Sequence, residues 1–202
     1  MIIGVPKEIK LQEHRIGLTP NSVKELTEKN HEVLIEHNGG FEAGFTNEDY
    51  INVGAKIIKS PEEIFKRAEL IVKVKEPQMS EVEMIREGQI IYTYFHLAAA
   101  KELTIGLIKS KSICIAYETV TDDNGKLPLL APMSAVAGRM SIQAGAHALE
   151  KNQKGRGLLI GGAPGVESAK VVILGGGVVG ENAAIITTGM RGKVYVLSLI
   201  HI

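Results

Sequence analysis

The sequence predicts an α/β protein in which helices cover a parallel sheet. Short runs of β-branched residues alternate with segments of helical periodicity. These runs are apolar almost without interruption, which is typical of strands buried on both faces of a parallel sheet. A glycine-rich loop at residues 154–168 precedes a further strand of the same kind. We therefore expect a second α/β unit after the first.

Six strands, with helical segments between them, are predicted in the first part of the chain. The strands cover residues 2–5, 32–36, 55–59, 69–75, 89–95 and 112–118, and helical patterns cover 20–29, 61–67 and 100–110. The first helix has a clear start, because Thr19 suits the N-cap and Pro20 suits the first helical position.

The alternation of strands and helices changes around residues 126–134, where the first domain is expected to end. A long helical pattern then covers residues 133–151, and no strand follows it closely. We interpret this pattern as a helix that joins two domains. Residues 1–130 are assigned to the first domain, and residues 131–202 to the connecting helix and an incomplete second α/β domain.

Composition excludes several classes of protein. Lysine plus arginine and aspartate plus glutamate both number 23, so no net charge favours nucleic acid or an anionic membrane. Aromatic residues make up 4% of the chain, which also disfavours base stacking. We find neither a signal peptide nor an apolar stretch long enough to span a bilayer. The prediction is a soluble cytoplasmic protein, with its single cysteine, Cys114, in the core.

The stretch "VVILGGGVVGENAA" (171–184) predicts a dinucleotide-binding turn. Gly175, Gly177 and Gly180 have the G-x-G-x-x-G spacing between a predicted strand and a predicted helix. The first glycine permits the tight turn, the second lets a pyrophosphate approach the backbone, and the third lets helix and strand pack closely. Glycine-rich turns are common in α/β proteins, and the strand and helix around this one make it more specific. We interpret it as the first βαβ unit of a Rossmann fold.

Three residues that could carry chemistry follow predicted strands. Arg15 lies in the loop after the first strand, Lys75 closes "LIVKVK" and His96 closes "IIYTYFH". Arginine suits bidentate capture of a carboxylate, and histidine suits proton transfer near neutral pH. Each alone could be an ordinary surface residue, but in a parallel sheet they converge at one edge. No metal site is predicted, and the sequence gives no reason for Lys73 inside a strand.

Six segments in the same order and spacing resemble bacterial alanine dehydrogenases. They are "GVPKEIKLQEHRIGLTP" (4–20), "LIVKVKEP" (70–77), "YFHLAA" (94–99), "IAYETV" (115–120), "LPLLAPMSAVAGRM" (127–140) and "VVILGGGVVG" (171–180). The resemblance extends from residue 1 to about residue 197. It implies a Rossmann-like substrate domain followed by an NAD-binding domain.

The resemblance also implies an activity, the reversible NAD-dependent oxidative deamination of L-alanine to pyruvate and ammonium. By this resemblance Arg15 holds the substrate carboxylate, Lys75 binds the carboxylate or carbonyl oxygen, and His96 is the general acid and base. Ser134 would contact the cofactor. The phosphate-binding turn would comprise Gly175, Gly177, Val178, Val179 and Gly180. A homohexamer is implied as well.

The last residues depart from this pattern. Ser198 stands where the family carries an aspartate that binds the adenosine ribose, and no arginine follows to suggest a switch to NADP. After Leu197 the tail "SLIHI" matches nothing in the family. We therefore expect a truncated or chimeric chain with a foreign tail, and an incomplete nucleotide domain that leaves half of its core uncovered.

Two other functions stay open. The nucleotide-binding subunit of a proton-translocating nicotinamide nucleotide transhydrogenase resembles the same opening and glycine motifs. The segment Lys75–Pro77 together with His96 favours the dehydrogenase, because a transhydrogenase has no need of a pair of residues for amino-acid chemistry. Alternatively, the 202-residue chain is a non-catalytic fragment.

Overall fold

A computed structural model describes residues 1–199. By its internal contacts the chain divides into two compact units, one from Met1 to Val120 and one from Thr121 onward. The elements of the first unit are β1 (Ile2–Val5), α1 (Pro20–Glu28), β2 (Glu32–Glu36), α2 (Asn47–Ile51), β3 (Lys56–Ile58), α3 (Pro61–Arg67), β4 (Leu70–Val72), α4 (Met79–Val82), β5 (Ile90–Thr93), α5 (Lys101–Ser110) and β6 (Ile113–Ala116).

The first unit contains a six-stranded parallel sheet in the order β3-β2-β1-β4-β5-β6. After β1 the chain adds β2 and β3 on one side, and after β4 it adds β5 and β6 on the other side. The direction in which strands are added therefore reverses between the neighbours β1 and β4. In open α/β sheets, ligands bind in the crevice that such a reversal leaves at the carboxyl ends of the strands. The predicted α/β class is confirmed, and the topology indicates where to look for a site.

Hydrophobic clusters cover both faces of this sheet. Adjacent residues of β4 face opposite sides: Ile71 lies in one cluster with Phe65 and Phe95, and Val72 lies in the other with Val23. Burying one such large apolar side chain contributes roughly 1.5–3 kcal/mol. The continuous apolar strands of the sequence therefore correspond to burial on both faces.

The predicted start of α1 is confirmed. Pro20 is the first helical residue, and the hydroxyl of Thr19 accepts a hydrogen bond from the amide of Ser22 at 3.4 Å. This cap fixes the point at which the long loop after β1 ends.

Several features of the first unit differ from the prediction, among them the short helices α2 and α4, which were not among the helices named from the sequence. Strand β4 ends at Val72, because the amides of Val74 and Lys75 donate to the Glu8 carboxylate instead of to a neighbouring strand. The core position predicted for Cys114 is wrong, since its side chain is exposed. Strand β6 is an edge strand, and within residues 1–199 it leaves Ile113 52% exposed, so its apolar composition does not reflect burial.

The second unit contains α6 (Ala131–Ala148), β7 (Lys170–Leu174), α7 (Val178–Gly189) and β8 (Lys193–Leu197). Strands β7 and β8 pair in parallel, and α7 connects them along the chain. The three elements form the predicted βαβ unit. A Cβ on Gly138 of α6 would lie 2.2 Å from the carbonyl oxygen of Val179, so this glycine lets α6 and α7 pack closely. A small core forms around Ile142 and Ile173.

The loop at 121–130 groups with the second unit by its contacts, whereas the sequence boundary lies after residue 130. Among the described residues the second sheet has two strands, and apolar side chains such as Leu174 and Leu197 are exposed. Residues 200–202 of the predicted foreign tail lie outside the described residues. In residues 1–199, no helix combines the length and apolar character needed to cross a bilayer.

Candidate active site and nucleotide site

Arg15 lies in the loop between β1 and α1, where Glu13 holds its guanidinium in a bidentate pair. The Nε and Nη2 atoms of Arg15 donate to the two carboxylate oxygens of Glu13 at 2.7 and 2.6 Å, and its backbone amide also donates at 3.0 Å. These hydrogen bonds outweigh burial and lower the pKa of Glu13 from its ordinary 4.5 to about 2. At neutral pH the arginine therefore stands beside a permanent carboxylate that fixes its orientation.

Lys75 follows β4, and its peptide group is held on both sides. Its amide donates to Oε1 of Glu8 at 3.3 Å, and its carbonyl oxygen accepts from the hydroxyl of buried Thr93 at 2.9 Å. The charge of Lys75 also helps to lower the pKa of Glu13. Electrostatically, Lys75 and the Glu13–Arg15 pair therefore belong to one site.

His96 follows β5 in a left-handed backbone conformation, with φ 53° and ψ 37°. The Glu118 carboxylate, which follows β6, accepts from the amide of His96 at 2.7 Å and from that of Phe95 at 3.0 Å. A left-handed conformation is uncommon outside glycine and is retained where surrounding contacts hold it. The imidazole is exposed and stacks on Tyr94, with ring centroids 6.2 Å apart.

Tyr94 links the histidine to the arginine. Burial raises the pKa of Tyr94, and the nearby charge of Arg15 opposes that shift. Arg15, Lys75 and His96, which the sequence singled out from three separate segments, thus follow β1, β4 and β5, three adjacent strands. Two cations and an exposed imidazole at one sheet edge can bind a small carboxylate and move a proton beside it.

Three carboxylates of the site were not singled out from the sequence: Glu8, Glu13 and Glu118. Each lies in a segment that also carries a candidate residue or a resemblance motif, but its partner is set by strand order. Glu8, for example, contacts the segment after β4, 66 residues further along the chain. An acidic residue just after an apolar strand was the available signal, and it is too common to be specific.

The glycine-rich turn of the second unit has the predicted local geometry. Gly175 adopts φ 104°, and a Cβ on Gly180 would lie 1.9 Å from the carbonyl oxygen of Gly175. A Cβ on Gly177 would meet nothing within 4 Å, so the turn is open at the point where a pyrophosphate approaches. Helix α7 then begins at Val178 with no side-chain cap on its amides. These amides suit an anionic group.

A cavity of about 1070 Å³ lies over this turn. All six predicted cofactor residues line it: Ser134, Gly175, Gly177, Val178, Val179 and Gly180. The amide of Gly175 donates to the carbonyl of Leu197 at 2.8 Å, which places Ser198 beside the turn, where a ribose-binding acid would lie. The residues present therefore fit the pyrophosphate part of a dinucleotide. Among residues 1–199, no group of three or more His, Cys, Asp or Glu side chains could hold a metal ion.

The first unit thus defines a class, a Rossmann-like α/β protein with a charged site at the topological reversal of its sheet. The profile described as "Alanine dehydrogenase/PNT, N-terminal domain" matches residues 4–137, and the corresponding C-terminal domain matches residues 141–200. The chain belongs to the alanine dehydrogenase/PNT family.

Similar proteins support this assignment. Alanine dehydrogenase of Methanococcus maripaludis is 52% identical over 199 residues, which cover 98% of this chain and 53% of that protein. The enzyme of Halomonas elongata is 52% identical over 197 residues, with the same coverage. A solved L-alanine dehydrogenase structure superposes with a TM-score of 0.89 at 52% identity, covering 97% of this chain and 54% of the other.

A transhydrogenase structure from Sinorhizobium meliloti gives a TM-score of 0.78 at 21% identity, covering 98% of this chain and 57% of that one, and shares the fold. The chain spans about half the length of the curated relatives that it matches.

Proposed function

We propose that this chain forms the substrate site and the first part of the nucleotide site of an NAD-dependent L-alanine dehydrogenase, which interconverts L-alanine with pyruvate and ammonium. The position of Arg15, Lys75 and His96 in the segments that follow the adjacent strands β1, β4 and β5 supports the proposal most directly. The 52% identity to proteins named alanine dehydrogenase supports the choice of substrate.

In the proposed mechanism Arg15 and Lys75 bind the substrate carboxylate. Arg15 offers a planar guanidinium whose orientation Glu13 fixes, and Lys75 offers a compact charge that also stabilises negative charge developing on the carbonyl oxygen. His96 takes a proton from the water that adds to the imine carbon and returns it as ammonia leaves. When bound, NAD supplies the hydride acceptor that oxidation of an amine requires.

The nucleotide is proposed to bind with its pyrophosphate on the turn from Gly175 to Gly180 and the start of α7, with Ser134 at the same cavity. NAD as the particular dinucleotide, a homohexameric assembly and a cytoplasmic location rest on the family resemblance.

The experiment is a spectrophotometric assay of the full-length product of the gene. L-Alanine should reduce NAD, and pyruvate with ammonium should oxidise NADH. Hydride exchange between two nucleotides without any response to alanine would overturn the proposal in favour of a transhydrogenase subunit. D-Alanine provides the matched control, because it carries the same charges with the opposite configuration at Cα.

A further inference from the structure

Lys73, immediately after β4, is buried in a cluster of charges. Its side chain is 0% exposed, and its ammonium lies 3.1 Å from Oε2 of Glu8 and 2.7 Å from Oε1 of Glu81. The side chains of both carboxylates are 2% exposed. Burial raises the pKa of Glu81, and the charge of Lys73 opposes that shift.

Such a cluster is a poor source of stability. The cost of removing an ammonium and two carboxylates from water offsets much of their attraction, and apolar side chains of similar volume often serve a core equally well. A buried ion pair does, however, fix the positions of the segments that carry it. Lys73 joins the loop after β1, which carries Glu8, to α4, which carries Glu81.

The two carboxylates differ in what else they contact. Oε2 of Glu81 accepts from the amide of Gln78 at the start of α4, at 2.8 Å. Oε1 of Glu8 accepts from the amides of Val74 at 2.6 Å and Lys75 at 3.3 Å. Oε2 of Glu8 thus forms an ion pair with buried Lys73, whereas Oε1 accepts from the amide of Lys75, the proposed substrate ligand.

We propose that Glu8, anchored by Lys73, is a positioning residue that holds Lys75 in place for the substrate carboxylate. Thr93 holds the carbonyl of Lys75 from β5, so the peptide is fixed from both sides. Glu8 also ties the segment after β4 to the loop that carries Arg15. The inference rests on the proposed function, because it takes Lys75 to be a substrate ligand.

The test compares Glu8→Ala with Glu81→Ala in the full-length product. Each variant removes one of the two carboxylates of Lys73, but only the first removes the acceptor of the Lys75 amide. Glu8→Ala should raise the KM for pyruvate about tenfold, as expected for loss of one charge-assisted contact, with a smaller effect on kcat. Glu81→Ala should lower Tm and leave that KM within about twofold. Should Glu8→Ala not fold, Glu8→Gln should raise KM by roughly threefold, because the amide oxygen still accepts weakly.

Amide hydrogen exchange adds a readout that does not depend on activity. The amides of Val74 and Lys75 should exchange faster in the Glu8 variants and at the wild-type rate in Glu81→Ala. An unchanged KM or unchanged exchange in the Glu8 variants would overturn the inference, as would equal rises of KM in both alanine variants. If the wild-type protein lacks alanine-dependent activity, the proposed function and this inference fall together. An active wild-type protein with an unchanged KM in the Glu8 variants overturns the inference alone.

Discussion

The carboxylate of Glu118 accepts a hydrogen bond from the backbone amide of His96 at 2.7 Å, and so connects the segment after β6 to the segment after β5. The histidine is held at φ 53°, a conformation that non-glycine residues rarely adopt without such support. Glu118 therefore acts on the backbone of the proposed acid and base.

Replacing Glu118 tests this support. Glu118→Ala should lower kcat by roughly tenfold or more, because the imidazole loses a fixed position relative to the substrate. Glu118→Gln should fall between the alanine variant and the wild type, since it keeps one acceptor oxygen. Steady-state kinetics with L-alanine provide the measurement, with Glu102→Gln on the exposed start of α5 as the control. Wild-type kcat in Glu118→Ala would show that His96 needs no such support.

The Glu13–Arg15 pair predicts a specific pH dependence of stability. The pKa of Glu13 is lowered from 4.5 to about 2 in the folded chain, chiefly by hydrogen bonds from Arg15. The pair therefore stabilises the fold fully above pH 4.5, and the contribution is lost as pH falls toward 2. The free energies of unfolding of wild type and Glu13→Gln, measured by urea titration, should differ by a constant amount above about pH 5 and converge at lower pH. A difference that does not change with pH would contradict the pairing.

Substitutions in the glycine-rich turn should separate a loss of NAD affinity from a loss of stability. In Gly177→Ala the new methyl group meets no protein atom within 4 Å but would occupy the space proposed for the pyrophosphate, so NAD affinity should fall about tenfold at unchanged Tm. In Gly180→Ala the methyl group collides with the carbonyl oxygen of Gly175, so both affinity and Tm should fall.

Gly189→Ala is the control for this pair. It lies at the end of α7 with open space around it, and should leave affinity unchanged while stabilising the helix by up to about 1 kcal/mol. Calorimetric titration with NAD and thermal melts give the two readouts. Wild-type affinity in Gly177→Ala would place the pyrophosphate elsewhere.

Local patterns in the sequence predicted most of the elements. The strands β1 and β2, the capped start of α1 and the glycine turn before α7 depend on neighbouring residues, and each lies where its pattern indicates. The placement of Arg15, Lys75 and His96 at one sheet edge follows from the parallel topology, because the carboxyl ends of parallel strands share that edge.

Contacts between distant segments could not be predicted in the same way. Whether an apolar strand such as β6 is an edge or a central strand depends on strand order, which is why Cys114 is exposed despite its apolar neighbours. Likewise, nothing in the residues next to Lys73 explains its buried charge. Its partners Glu8 and Glu81 come from a loop and a helix that only the folded sheet brings together.

The most direct test of the account is the activity of His96→Ala in the full-length product, measured together with its affinity for NADH. We expect alanine-dependent reduction of NAD to fall by roughly 100-fold or more, as for loss of a general acid and base, with NADH affinity within about twofold of wild type. Wild-type turnover in the variant would remove His96 from the chemistry. Loss of NADH binding with turnover otherwise intact would contradict the separation of substrate and nucleotide sites on which the account depends.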